Sequence, residues 1–268
     1  MSVELTLARG VEVDGVRHRE AVVRPVSGAV AELVSGPAQA LLPAERLGVL
    51  LQRCLLRLGP WEQPTLDQVR LLSVGDRDAL ALQLRGITFG DRIDGVLTCP
   101  TCSERMDVEL SVASLLLPPA DSKQERGLRP PTGVDLEEAA RIAARDPVAA
   151  ASHLARACVV RVGGDQTDAM TAEEEAEVAT ALAALEPQSD LLLDVACPSC
   201  GATFQLPFDP GDFLLRELTA EADTLHREVH ILALHYHWSE RDILELPARK
   251  RRIYLDLLAT APTREAVG

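Results

Sequence analysis

Leu97–Cys102 reads LTCPTC, and Val195–Cys200 reads VACPSC. Four of the six cysteines stand in these two hexapeptides. Their frames match as well. GVLTCPTCSERMDVEL and LLDVACPSCGATFQLPF each run from an apolar or β-branched strand through Cys-Pro-x-Cys and a small or polar turn into an alternating strand. Val96, Met106, Val108 and Leu110 alternate in the first copy, and Val195, Phe204 and Leu206 in the second. A Cys-x-x-Cys turn can set two sulfurs on one metal while N–H groups of the turn donate to the thiolates, and proline stiffens that turn. Two such turns complete a tetrahedral four-sulfur site. Cys99, Cys102, Cys197 and Cys200 are therefore the expected ligands of one structural zinc per chain. With every position taken by protein, none is left for water or substrate, so the site is expected to be structural.

The separation is the unusual part. Cys197 follows Cys102 at far more than the roughly 15–20 residues of a compact ribbon. The segment between must be an insertion, and the ribbon is split around it. Two thiol pairs without metal are the plainer alternative. A redox dithiol should open a helix after a buried strand, whereas strands flank both pairs here.

Working outward, residues 1–35 read as β-structure. VELTL alternates, and Asp14-Gly15 sits between alternating runs as a hairpin turn. PAERLGVLLQRCLLRL predicts an amphipathic helix over 43–58, started by Pro43 and stopped by Gly59-Pro60. Cys54 falls on its apolar side with Leu47, Leu50, Leu51 and Leu58, as a small buried thiol. A second helix is expected over 67–85 with a break near Gly75. Residues 117–133, rich in Pro, Gly and charge, read as a loop. Helices follow over about 135–145 and 147–157, then a short strand and turn over 159–165, with Cys158 a buried leftover. Thr171-Ala172-Glu173-Glu174 opens an acidic helix reaching Leu185. The C-terminal part reads as a long helix over about 211–236, a short one capped by Ser239, and a last one opened by Pro247, with a frayed tail from Ala261. The fold class is α+β and mainly helical. Its expected parts are an N-terminal β segment (1–40), a helical part (41–92), the split zinc ribbon (93–112 plus 190–208), a helical insertion (113–189) and a C-terminal helical part (209–268).

The net charge is −14, which argues against nonspecific nucleic-acid binding, since that needs a basic footprint. The run Arg249-Lys250-Arg251-Arg252 reads as a solvated helix face. No apolar run is long enough for a membrane helix, and MSVELTLARG lacks the layout of a signal peptide. A soluble cytoplasmic protein is expected, where paired cysteines serve as metal ligands more often than as disulfides. HREVH sets His226 and His230 four apart, but the metalloprotease pattern needs Glu where Arg227 stands. No phosphate loop, dinucleotide fingerprint or nucleophile elbow occurs. The expectation is no enzyme. Aromatics make up only 3% of the chain, so Tyr236, Trp238 and Tyr254 near its end stand out as partner-binding anchors; packing of Trp238 between the last helices is the plainer alternative.

Three stretches carry a resemblance: DGVRHREAVVRPVSG (14–28), ITFGDRIDGVLTCPTC (87–102) and HYHWSERDILELP (235–247). With them, residues 5–112 and 190–260 resemble the baseplate hub and tail-assembly proteins of T-even-type phages, whose relatives occur in gene clusters of bacterial contractile injection systems. The resemblance implies a baseplate component or assembly factor whose partners are other baseplate or tail-hub proteins, and it supplies no catalytic residue. The competing reading is a zinc-ribbon adaptor for nucleic acid or transcription machinery. Arg105 is nearly the only basic residue in the knuckles, which counts against it.

Overall fold

The structure, a computed structural model, describes residues 2–118, 127–160 and 170–260. It is α+β. β1 (Val3–Val13) and β2 (Val16–Val23) form the expected hairpin. Asp14 and Gly15 both take positive φ, 52° and 76°, the paired left-handed geometry that suits a two-residue hairpin turn. A bulge lies between Thr6 and Val11. Gly10 sits in it at φ +68°, where a Cβ would fall 1.9 Å from the His18 carbonyl oxygen.

Residues 1–40 are not β throughout. Ser27 Oγ accepts from the Val30 N–H and starts helix α1 (Gly28–Ser35), followed by a 3-10 turn over Pro37–Ala40. The side-chain cap decides this stretch against strand. The helix expected over 43–58 is also shorter. α2 (Pro43–Cys54) ends where the Cys54 carbonyl accepts the Arg24 N–H at 3.0 Å, and Leu55–Leu58 leaves as β3 to pair with β2. Gly59 turns at φ +53° into β4 (Trp61–Glu62). The sheet order is β1-β2-β3-β4, so a part expected to be helical holds two strands. Leucine favours helix locally, and here pairing with β2 overrides it. Helix α3 (Leu66–Arg70) and helix α4 (Val74–Phe89) are separated at 71–73, with Gly75 inside α4 under its Ser73 cap.

The core lies between one face of this sheet and the helices packed on it, α1 among them through Val30, Ala31 and Val34. Leu7, Val11, Ala21 and Val23 meet Leu50, Leu51 and Cys54 of α2, Leu80 and Leu84 of α4, and Leu214, Leu215 and Leu218 of α9 (Pro210–Tyr236). Cys54 is fully buried, which pushes its thiol up to about 12.

From α4 the chain enters hairpin β5–β6 (Arg92–Thr98, Arg105–Ser111) and the short α5 (Val112–Leu115). Residues between Pro118 and Gly127 fall outside the description, including the middle of the expected loop. The insertion then folds as α6 (Gly133–Ala143), α7 (Pro147–Cys158) and α8 (Ala172–Leu185). Of the strand and turn expected over 159–165, Val159 bridges Leu128 and 161–165 lies outside the described residues, as does the tail from 261. Thr171 and Glu174 close the foreseen capping box.

Charge docks α6 on the body. Glu137, 3% exposed, lies 3.0 Å from Arg70 and 4.0 Å from Arg77, itself fully buried. The Gly133 N–H donates to the Leu72 carbonyl, and a Cβ there would fall 1.8 Å from the Arg77 guanidinium. That close approach is why the position holds glycine.

Hairpin β7–β8 (Leu192–Ala196, Thr203–Pro207) returns to the first hairpin. A second cluster beneath both joins Leu82, Ile93, Val112, Leu115 and Leu191. Arg85 braces this corner from α4 with two 3.0 Å bonds to Glu217 of α9. After α9 come α10 (Glu240–Leu244), capped by Ser239, and α11 (Ala248–Thr260). Arg249, Lys250 and Arg252 are exposed as expected, but Arg251 is 2% exposed. Its side chain donates to Glu228 at 2.7 Å and to the Leu246 carbonyl, so it locks α11 to α9 and is no part of a solvated face. Among the described residues no helix is long and apolar enough to cross a membrane.

Candidate metal centre

The two hairpins bring their tips together. The Sγ atoms of Cys99, Cys102, Cys197 and Cys200 all lie within 4.8 Å of one another, and among the described residues no other group of His, Cys, Asp and Glu is so placed. The four cysteines thus converge in space across the whole insertion and could hold a metal ion.

Each tip repeats one backbone plan. The first cysteine's N–H donates to the carbonyl five residues on, Cys99 to Glu104 at 2.9 Å and Cys197 to Ala202 at 2.8 Å. Its carbonyl accepts the N–H four residues on, from Ser103 and from Gly201, both at 2.9 Å. That fourth residue takes positive φ in each copy, 61° for Ser103 and 74° for Gly201. The left-handed residue folds the strand back beneath the sulfurs. Behind the tips, Leu97 pairs with Met106 and Val195 with Phe204, and these four side chains pack round buried Cys99 and Cys197. The other two cysteines face outward.

The spacing tests whether one ion fits. Tetrahedral Zn–S bonds of about 2.3 Å give sulfur–sulfur edges of about 3.8 Å. Cys99 to Cys200 measures 3.8 Å and Cys102 to Cys197 3.7 Å, both between hairpins. The donors are four sulfurs, the set that suits a soft or borderline cation. The Thr101 N–H points at the Cys99 sulfur at 3.4 Å. The thiols hold their protons unevenly. N–H groups, that of Cys102 foremost and that of Thr101 after it, bring Cys99 down to about 6 against desolvation. The Glu104 N–H pulls Cys102 down, but desolvation and the three neighbouring sulfurs outweigh it and take Cys102 up to about 12. Cys158, by contrast, is buried alone and pushed up to about 11, as an inert core thiol should be.

The other candidates resolve differently. Tyr236 stacks on Trp238 with centroids 4.8 Å apart, and Tyr254 meets Trp238 edge-on at 4.9 Å. The three rings form one half-buried cluster where α9 meets α11. His226 and His230 are exposed, and Glu228 between them is taken by Arg251. Sequence reasoning missed the brace beneath the centre, Arg85 with Glu217, and the tie that docks α6, Glu137 with Arg70 and Arg77. Partners separated this far in sequence leave no local spacing signal.

A family model described as T4 bacteriophage base plate protein matches residues 61–215. The match includes all four cysteines and runs through the insertion, where the sequence reading named no likeness. No curated protein and no solved structure matches. With more than half of its length matched, a span that begins in the sheet, crosses both cysteine hairpins and ends in α9, the chain belongs to the T4 bacteriophage base plate protein family.

Proposed function

We propose that this chain is a non-enzymatic baseplate component or assembly factor of a phage-tail-like contractile injection system, held in shape by one structural zinc. The observation that carries the reading is the family match across both cysteine hairpins, joined to the closure of the four sulfurs on one point. Zinc suits four thiolates, and a fully protein-ligated ion serves structure. Bound by Cys99, Cys102, Cys197 and Cys200, it would supply a cross-link between segments on either side of the insertion. The partners are other baseplate or tail-hub proteins. Tyr236, Trp238 and Tyr254 are the contact cluster: their rings brace one another and stay partly open, the condition in which Tyr and Trp serve as anchors. The net charge of −14 favours protein partners over nucleic acid.

Two measurements test this. Zinc is quantified in the purified chain and in Cys99→Ser and Cys197→Ser. The expectation is one zinc per chain, lost in either variant; no metal with freely titrating thiols would reject the site. Producer cells carrying Trp238→Ala are then compared with wild type for yield of sheathed particles. A marked drop with zinc content unchanged is expected, whereas unaltered particles in cells lacking the chain altogether would reject the baseplate role.

A further inference from the structure

A recess of about 520 Å³ runs along the outer side of β1. β1 is an edge strand, with β2 its one strand neighbour among the described residues. From Ala8 to Gly10 the edge is closed, because the Asp76 carboxylate accepts those three N–H groups. Glu4, Leu5 and Thr6 lie beyond that cover and line the recess. The opposite wall is α4, which contributes Gly75 and Ala79 one turn apart. A second recess of about 320 Å³ shares Leu117 and Pro187 with the first and ends at Leu192 and Leu193 beside β7. The two make one trough, charged at one end and apolar at the other.

A strand edge facing a helix across a trough is the arrangement in which an extended peptide adds as a further strand. Main-chain hydrogen bonds then give affinity and side-chain recesses give selectivity. The combined size is that of a small-ligand site, and six extended residues would span about 20 Å of it. Charge selects among peptides. In a chain of net charge −14, this end of the trough carries Arg9, Arg17 and Arg19. Arg9 is taken up by Glu186 and the Leu185 carbonyl, whereas Arg17 meets only the exposed Glu12 among the described acids, at 3.3 Å, and Arg19 donates to the neutral Leu7 carbonyl. Of the two acids on its walls, Glu186 is buried and engaged by Ser73, which leaves Glu4 as the exposed one. We propose that the trough binds an extended acidic segment of a partner protein, added as a strand beside Glu4–Thr6, with its carboxylates against Arg17 and Arg19 and an apolar side chain at the Leu117–Leu192 end. The site is separate from the Tyr236–Trp238–Tyr254 cluster, so either could fail alone.

The test titrates the full-length chain into fluorescein-labelled Thr-Val-Glu-Val-Glu-Val-Thr and follows anisotropy. Saturable binding at about 10–100 µM is expected. It should weaken at least ten-fold when lysine replaces glutamate, when alternate peptide nitrogens are methylated, and in Ala79→Trp, which fills the trough from the α4 wall. Arg17→Glu, at an exposed position, should weaken it at least three-fold and carries the test if Ala79→Trp does not fold. No saturation at millimolar chain, or equal binding of the methylated peptide, would overturn the proposal. Binding that appears only after deletion of residues 119–126 would also overturn it, assigning the trough to the chain's own segment. A self-association that Ala79→Trp abolishes would overturn it in favour of a second copy.

Discussion

At the scale of single residues, the two knuckles differ at one informative position. Ser103 and Gly201 occupy the same left-handed site, at φ 61° and 74°. A side chain there costs about 1 kcal/mol, which glycine does not pay. Ser103→Gly should therefore stabilise the metal-loaded chain or leave it unchanged, and Gly201→Ala should cost about 1–2 kcal/mol, both read from urea unfolding. Effects of the same sign would show that the knuckles are not equivalent. Asp135 gives the acid response. Burial pushes its carboxyl up, but Arg129, at 2.6 and 2.8 Å, and Thr132 outweigh that and hold it below its ordinary value. A depressed folded value means stability that is present above the unfolded value and lost as pH falls through the folded one. Asp135→Asn should thus cost about 1 kcal/mol at pH 7, with the difference from wild type vanishing as the pH approaches 2.

At the scale of elements, a two-stranded hairpin is marginal by itself. Among the described residues neither hairpin has a third strand; β5–β6 and β7–β8 remain separate sheets. Each leans on the sulfur cluster and on the small Leu97, Met106, Val195 and Phe204 core. Removing zinc with a chelator should therefore cost amide-exchange protection in both hairpins together, at Leu97, Met106, Val195 and Phe204. The β1–β2 amides should keep theirs, because the sheet buries its face on α2, α4 and α9. Protection lost in one hairpin alone would separate them. These elements were legible because their signals are local: Asp14-Gly15 for the first turn, Cys-Pro-x-Cys for the tips, Thr171 with Glu174 for α8. β3 was not legible. Leu55 and Leu58 satisfy a helical period as well as a strand, and the decision rests on pairing with β2, more than thirty positions upstream. Nor could Arg251 be told from its exposed neighbours, because its partner Glu228 belongs to another helix.

At the scale of the whole molecule, two unlike devices among the ties of the insertion stand out. The sulfurs tie its flanking hairpins, and Glu137 ties α6 to the body. That second tie is costly. Two buried ions lose hydration that their attraction only partly returns, and the Nε and Nη1 atoms of Arg77 have no hydrogen-bond partner among the described residues. Gly133 leaves the room the guanidinium occupies, so the backbone there accommodates a charge where an apolar contact would also fill space. Removing one partner strands the other. Glu137→Ala should cost about 3–5 kcal/mol and expose α6 to limited proteolysis, while zinc content stays at one per chain. Glu137→Met combined with Arg77→Met removes both charges and keeps the volume. If the tie serves to orient the insertion rather than to stabilise it, the double variant should regain most of the lost stability in urea unfolding. A double variant no better than Glu137→Ala would instead make the ion pair a net source of stability, with Arg70, 3.0 Å from the same carboxylate, left to its exposed partner Asp67.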